Sequence, residues 1–169
     1  ATRAQGGGIT QLTQTPEEKA APAWSLNGER IGFIASSSAE YGLQWVNRQG
    51  TRHQIVYDGT LGDVEHFAWS PDGRRLLFDA SGRNHRCVYR IDADGTALQR
   101  LTDFESWWPT WSPDGKRIAV SSDVGIYTLD HDGGSRLRLT TFRSWAPSWS
   151  RDGDRIAFLS DRGIDGQNP

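Results

Sequence analysis

Two Asp-x-Asp pairs, Asp92 and Asp94 in "DADG" and Asp130 and Asp132 in "DHDG", are the residues whose types and spacing come nearest to metal chemistry. A calcium loop gathers about six or more oxygen ligands, and each pair alone supplies too few, so these carboxylates are expected to cap turns. Four histidines, His53, His66, His85 and His131, fall at no metal-ligand spacing. They read as solvated or hydrogen-bonded side chains. Cys87 is the single cysteine, which excludes an intramolecular disulfide and a cysteine cluster for zinc, and a lone strand cysteine reads as a small buried hydrophobe. No G-x-S-x-G, H-E-x-x-H, C-x-x-C or glycine-rich phosphate loop occurs. The expectation is a non-catalytic chain with no cofactor and no bound metal.

The elements that must position any binding residues come from a repeat. "WSLNGERIGF" from Trp24, "WSPDGRRLLF" from Trp69, "WSPDGKRIAV" from Trp111 and "WSRDGDRIAF" from Trp149 share W-S-x-[DN]-G, with the tryptophans 45, 42 and 38 residues apart. Self-similarity at that interval marks a repeated supersecondary unit. Within W-S-P-D-G the proline presets φ and the glycine can take φ > 0, which is the chemistry of a short hairpin loop. Gly28, Gly73, Gly115 and Gly153 are the constant element, while Asn27, Asp72, Asp114 and Asp152 are turn formers rather than ligands. Trp24, Trp69, Trp111 and Trp149 recur at one position in every unit, so they read as wedges packed between units rather than as ligand platforms.

Each unit offers four strand-like runs, as in "PTWS", "RIAVSS", "GIYTLD" and "RLRLT" of the third, and four antiparallel strands per unit make a propeller blade. The predicted units span residues 20–57, 64–102, 106–140 and 144–160, the last only half a blade. "ITQLT" at 9–13 matches a final strand and is assigned to the outside of a preceding or closing blade. The fold class is therefore all-β, a propeller of about four repeats, incomplete or part of a larger ring. An unclosed arc would expose apolar sheet faces larger than a monomer normally tolerates, so further blades of a longer chain or another chain are expected to cover them.

Composition narrows the partners. The 169 residues are 36% apolar and 24% charged, with 19 glycines, eight tryptophans and a net charge of −2. Interspersed charge without a polybasic stretch argues against nucleic acid, and no apolar run approaches the roughly 20 residues of a membrane helix, so no membrane insertion is expected.

W-S-P-D-G-K-x-I-A, then I-Y-x-x-D-x-D-G-G, then R-x-L-T resembles the TolB-like, WD-repeat-like propeller family, closely over Trp69–Thr102 and Trp111–Thr140 and in part over the first unit. The resemblance implies a scaffold that binds proteins or peptides in a bacterial periplasmic or otherwise extracytoplasmic setting, with the cytoplasm left open. It equally implies two alternatives: an accessory propeller of a prolyl-oligopeptidase-like or tricorn-like peptidase, or a structural assembly unit or extracytoplasmic sensor region of a bacterial kinase or regulator. Fold alone does not choose among these.

Specificity is sought where the units differ. The loops before the tryptophan strands read "PEEKAA", "GDVEH", "FESWW" and "FRSWA", and with those at 36–42, 81–86 and 122–124 they should open on one face. There Glu65, His66, Glu105, Trp107, Trp108, Arg143 and Trp145 form the predicted binding rim, rich in the aromatic and arginine side chains of interaction hot spots. Trp107 and Trp145 share an aligned position and could simply cover the core. Trp108, aligned with His66 and Ala146, has the stronger claim to function.

Overall fold

The W-S-x-[DN]-G turns close as their chemistry requires. The computed structural model describes residues 8–13, 18–36, 41–82 and 84–161. In each turn the glycine N–H donates to the serine carbonyl three residues back, at 2.8 Å in Gly28, 2.9 Å in Gly73 and Gly115 and 3.0 Å in Gly153. These four glycines hold φ between 67° and 79°, a region that an L side chain enters only with strain. Each serine hydroxyl donates to the carboxylate or amide oxygen two residues on, as Ser112 Oγ does to Asp114 Oδ1 at 2.7 Å, and that oxygen also accepts a backbone N–H, from Lys116 at 3.1 Å. The hydroxyl and this N–H hold the Asp114 carboxyl below its ordinary pKa.

The turns join the strands into sheets. β1 (Glu18–Trp24), β2 (Arg30–Ser36), β3 (Gly42–Asn47) and β4 (His53–Tyr57) form the first, all antiparallel and in chain order. β5 (Val64–Trp69), β6 (Arg75–Ser81), β7 (Arg86–Asp92) and β8 (Gln99–Arg100) repeat it. The third unit is β9 (Trp107–Trp111), β10 (Arg117–Ser122), β11 (Gly125–Asp130) and β12 (Leu137–Arg138). β13 (Ser144–Trp149) and β14 (Ile156–Ser160) follow as a hairpin tied to β10 by the single pair Ser122–Ser144. The molecule is all-β and is built from propeller blades.

Successive units bury one another. Phe78, Leu76 and Tyr89 of the second sheet pack with Ile34, Leu43 and Trp45 of the first, and Leu77 and Val88 on its other side pack with Trp111, Ile118 and Val120 of the third. Trp69, Trp111 and Trp149 each lie against the unit before them. Trp69 Nε1 donates to Ala23 O at 3.2 Å, and a Cβ at Gly32 would lie 2.9 Å from that nitrogen and 2.7 Å from Phe67. Trp111 is 7% exposed, whereas Trp24, with no unit before it among the described residues, is 52% exposed. The turns follow the same rule: a Cβ at Gly73 would meet Asn27, one at Gly115 would meet Pro71 and one at Gly153 would meet Pro113, but one at Gly28 would meet nothing.

Residues 9–13 form no strand, because the described residues provide no neighbour to complete the ladder. Their place is nonetheless that of an outer strand. A Cβ at Gly50 would lie 3.0 Å from Leu12 O, just as one at Gly95 would lie 3.2 Å from Val56 O and one at Gly133 2.8 Å from Leu101 O. Val56 and Leu101 belong to the outer edge of the preceding sheet, so Leu12 occupies the matching position ahead of the first. At the other end, Phe158 and Leu159 of β14 are 39% and 58% exposed.

Burial sets the cost of losing each wedge. Trp111→Ala is expected to lower the unfolding free energy by about 3–5 kcal/mol in urea titration, the usual cost of removing a buried large aromatic side chain. Trp24→Ala is expected to change it by less than about 1 kcal/mol in the same chain.

Candidate functional site

Strand order brings the variable loops together. In an antiparallel sheet taken in chain order, the start of the first strand, the end of the second and the start of the third share one end. Val64–His66, Asp79–Ser81 and Arg86 therefore gather at one end of the second unit, beside Glu105–Trp108 of the third. Residues 37–40 and Arg83 of these loops lie outside the described residues.

At the centre is Asp79, with no exposed surface. Its Oδ2 lies 2.8 Å from His66 Nδ1 and accepts the Trp108 N–H at 3.0 Å. Its Oδ1 accepts Arg86 Nη1 at 2.8 Å and the backbone N–H groups of Glu65 and His66, each at 3.3 Å. Burial pushes this carboxyl's pKa up, but the His66 hydrogen bond and charge, the Trp108 N–H and the Arg86 guanidinium outweigh it and hold the group below its ordinary value. Arg86 also donates from Nη2 to Glu65 Oε1 at 2.7 Å, and its backbone N–H donates to Glu105 Oε2 at 3.2 Å. One buried carboxylate thus ties the second unit to the third at the starts of both of their first strands.

The Trp108 N–H reaches Asp79 because of a bulge. Ala119 pairs with Thr110 and Ser121 with Trp107, which leaves Trp108 and Pro109 opposite the single residue Val120. Trp108 takes φ of 51°, as Ala146 and Ala21 do at 52° and 50°, and each of the three precedes a proline that disfavours the right-handed helical region. A bulky residue in the left-handed region is strained, and here the Asp79 hydrogen bond fixes it. The Trp108 ring is then held against His66, with centroids 4.5 Å apart.

Trp108 also lines a pocket of about 340 Å³ with Trp107, Ser122, Arg143, Ser144, Trp145 and Asp161. Arg143 is exposed and its guanidinium lies 5.9 Å from the Trp145 ring centre. Of the seven rim residues, Trp107, Trp108, Arg143 and Trp145 therefore meet in the pocket. Glu65, His66 and Glu105 instead surround Asp79 and Arg86, and Trp108 belongs to both groups. Sequence reasoning missed Asp79 and Arg86. The signal for Asp79 was its buried strand position, where the other units have Ile34, Ser121 and Leu159. Cys87, next to Arg86, is buried, and burial raises its thiol pKa. Among the described residues no His, Cys, Asp and Glu group has the arrangement of a metal site, and no helix is long and apolar enough to cross a membrane.

Sequence and structure comparisons bear on this arrangement of sheets. No family model matches the chain. A protein TolB homolog of Chlorobium luteolum is 27% identical over 119 residues, 69% of this chain and 27% of that protein. The structure of TolB from Acinetobacter baumannii superposes with a TM-score of 0.72 at 23% identity, over 93% of this chain and 41% of that one. The chain is built of TolB-like propeller repeats. Dipeptidyl-peptidase 5 of Porphyromonas gingivalis is 35% identical over 74 residues, 39% of this chain and 11% of that protein. This TolB-like chain thus spans only about a tenth to a quarter of the curated relatives named here.

Asp79 gives a signed pH test. Its depressed pKa means that it stabilises the fold fully above the unfolded value of about 3.9, and that this stability is lost as pH falls through the folded value. Asp79→Asn should therefore unfold at lower urea than the parent at neutral pH, and the gap should narrow as the pH falls below about 4. Asp79→Ala, which leaves Arg86 without its buried partner, should cost about 3–5 kcal/mol at neutral pH.

Proposed function

We propose that this chain is a non-catalytic, protein- or peptide-binding part of a TolB-like propeller, and that it binds through the loop end carrying Trp107, Trp108 and Trp145. The observation that carries the reading is the convergence of three partly buried indoles from two units on one pocket, with Trp108 at a position where the other units have His66 and Ala146. Aromatic side chains held by a rigid scaffold are the usual anchors of a peptide or protein segment. The neighbouring TolB proteins favour a periplasmic or otherwise extracytoplasmic setting. Further sheets of the same repeat, from a longer chain or another chain, complete the ring. The exposed Trp24, the open space at Gly28 and the outer-strand position of Leu12 all support a sheet before the first one.

The similarity to Dipeptidyl-peptidase 5 favours a second reading, an accessory propeller beside a peptidase domain. A G-x-S-x-G motif with a distant histidine in the intact gene product would select it.

Binding to an array of random peptides should drop at least fivefold in Trp108→Ala and Trp145→Ala with little loss of thermal stability; equal loss of both would assign these rings to the scaffold. For ring completion, sedimentation should show either a longer intact protein or self-association. A stable monomer whose mass ends with these residues would overturn it.

A further inference from the structure

The proposed peptide-binding reading leaves open which side chains the pocket selects, and the charge around it answers that. The pocket lining carries one carboxylate, Asp161, and one guanidinium, Arg143, and the cluster around Asp79 beside it holds Glu65, Glu105 and Arg86. Arg86 is already engaged by Asp79 and Glu65 at 2.8 and 2.7 Å. Asp161 lines the pocket itself, and Asp123 is next to Ser122 of its lining. Neither has an ion-pair partner among the described residues. The pocket thus offers a carboxylate with no ion-pair partner among the described residues beside its three indoles.

An indole face attracts a cation through its quadrupole, and the attraction grows when the site is partly shielded from water. Trp107, Trp108 and Trp145 are all half-buried. One cation is already in this kind of place, since the Arg143 guanidinium lies over Trp145. We infer that the Trp107–Trp108–Trp145 pocket takes a basic side chain, arginine or lysine, of a partner peptide or protein segment, with the indoles stacking on the cation and Asp161 and Asp123 supplying the negative charge. Arg143 is then a competitor for the same surface, a like charge that covers one indole, rather than an anchor. This inference rests on the binding reading above and adds the class of residue recognised.

The test measures indole N–H resonances of the whole chain during titration with three blocked octapeptides that alternate glycine with arginine, glutamine or glutamate. The arginine peptide should bind at least tenfold more tightly than the glutamine peptide, weaken as salt is raised, and leave the glutamate peptide without measurable binding. Arg143→Ala should raise affinity for the arginine peptide severalfold, Arg143→Lys should leave it near the parent value, and Asp161→Asn should lower it. Weaker arginine-peptide binding in Arg143→Ala, or a glutamate peptide that binds as well as the arginine one, overturns the inference. A glutamine peptide equal to the arginine peptide removes the cation selectivity but keeps the peptide-binding reading. No shift with any of the three overturns both.

Discussion

A small antiparallel sheet has two faces, and in this molecule the face of each sheet is covered mainly by the next unit in the chain. That requirement governs almost everything else. From the second unit on, the tryptophan at the end of the first strand lies against the preceding unit, and the glycine of the hairpin comes against the preceding turn, as Gly115 does with Pro71. The second sheet, with neighbours on both sides, buries Phe78, Leu76 and Leu77 completely, and the third likewise buries Ile118, Val120 and Ile126. Where the series is interrupted, the same residue types come to the surface, as Trp24 and Leu159 do.

The end of the molecule that carries the indole pocket lies at the seam between units. Packing alone would not hold two adjacent loops in register, since apolar contact is not directional. Asp79 supplies direction: a carboxylate removed from water must collect hydrogen bonds, and the donors it collects belong to the second unit's first strand, its third strand and the first strand of the third unit. The bulge at Trp108 presents one of those donors, and the ring of the same residue both meets His66 and lines the pocket. One ionised group thus joins the two units and holds the backbone that presents Trp108.

The repeat was legible because its turns depend on local chemistry. Ser-x-[Asp/Asn]-Gly closes through contacts spanning five residues or fewer, so the hairpins at Trp24, Trp69, Trp111 and Trp149 could be read along the chain. Residues 9–13 show the limit, because a strand exists only when something pairs with it. The rim was legible as a set of unlike residues, yet their division was not: Glu65 and Glu105 turn to Arg86, while Arg143 turns to Trp145.

By itself, the order of residues determined the four-fold repeat, the hairpin at each W-S-x-[DN]-G and the loops in which the units differ, because each of these is written in contacts between near neighbours. Tertiary structure decided which of the unlike residues meet. Asp79 joins residues from strands distant in sequence, and the pocket joins Trp107 and Trp108 to Trp145 of the next unit. Those meetings follow from the stacking of one twisted sheet on another, a relation between units that no single unit contains.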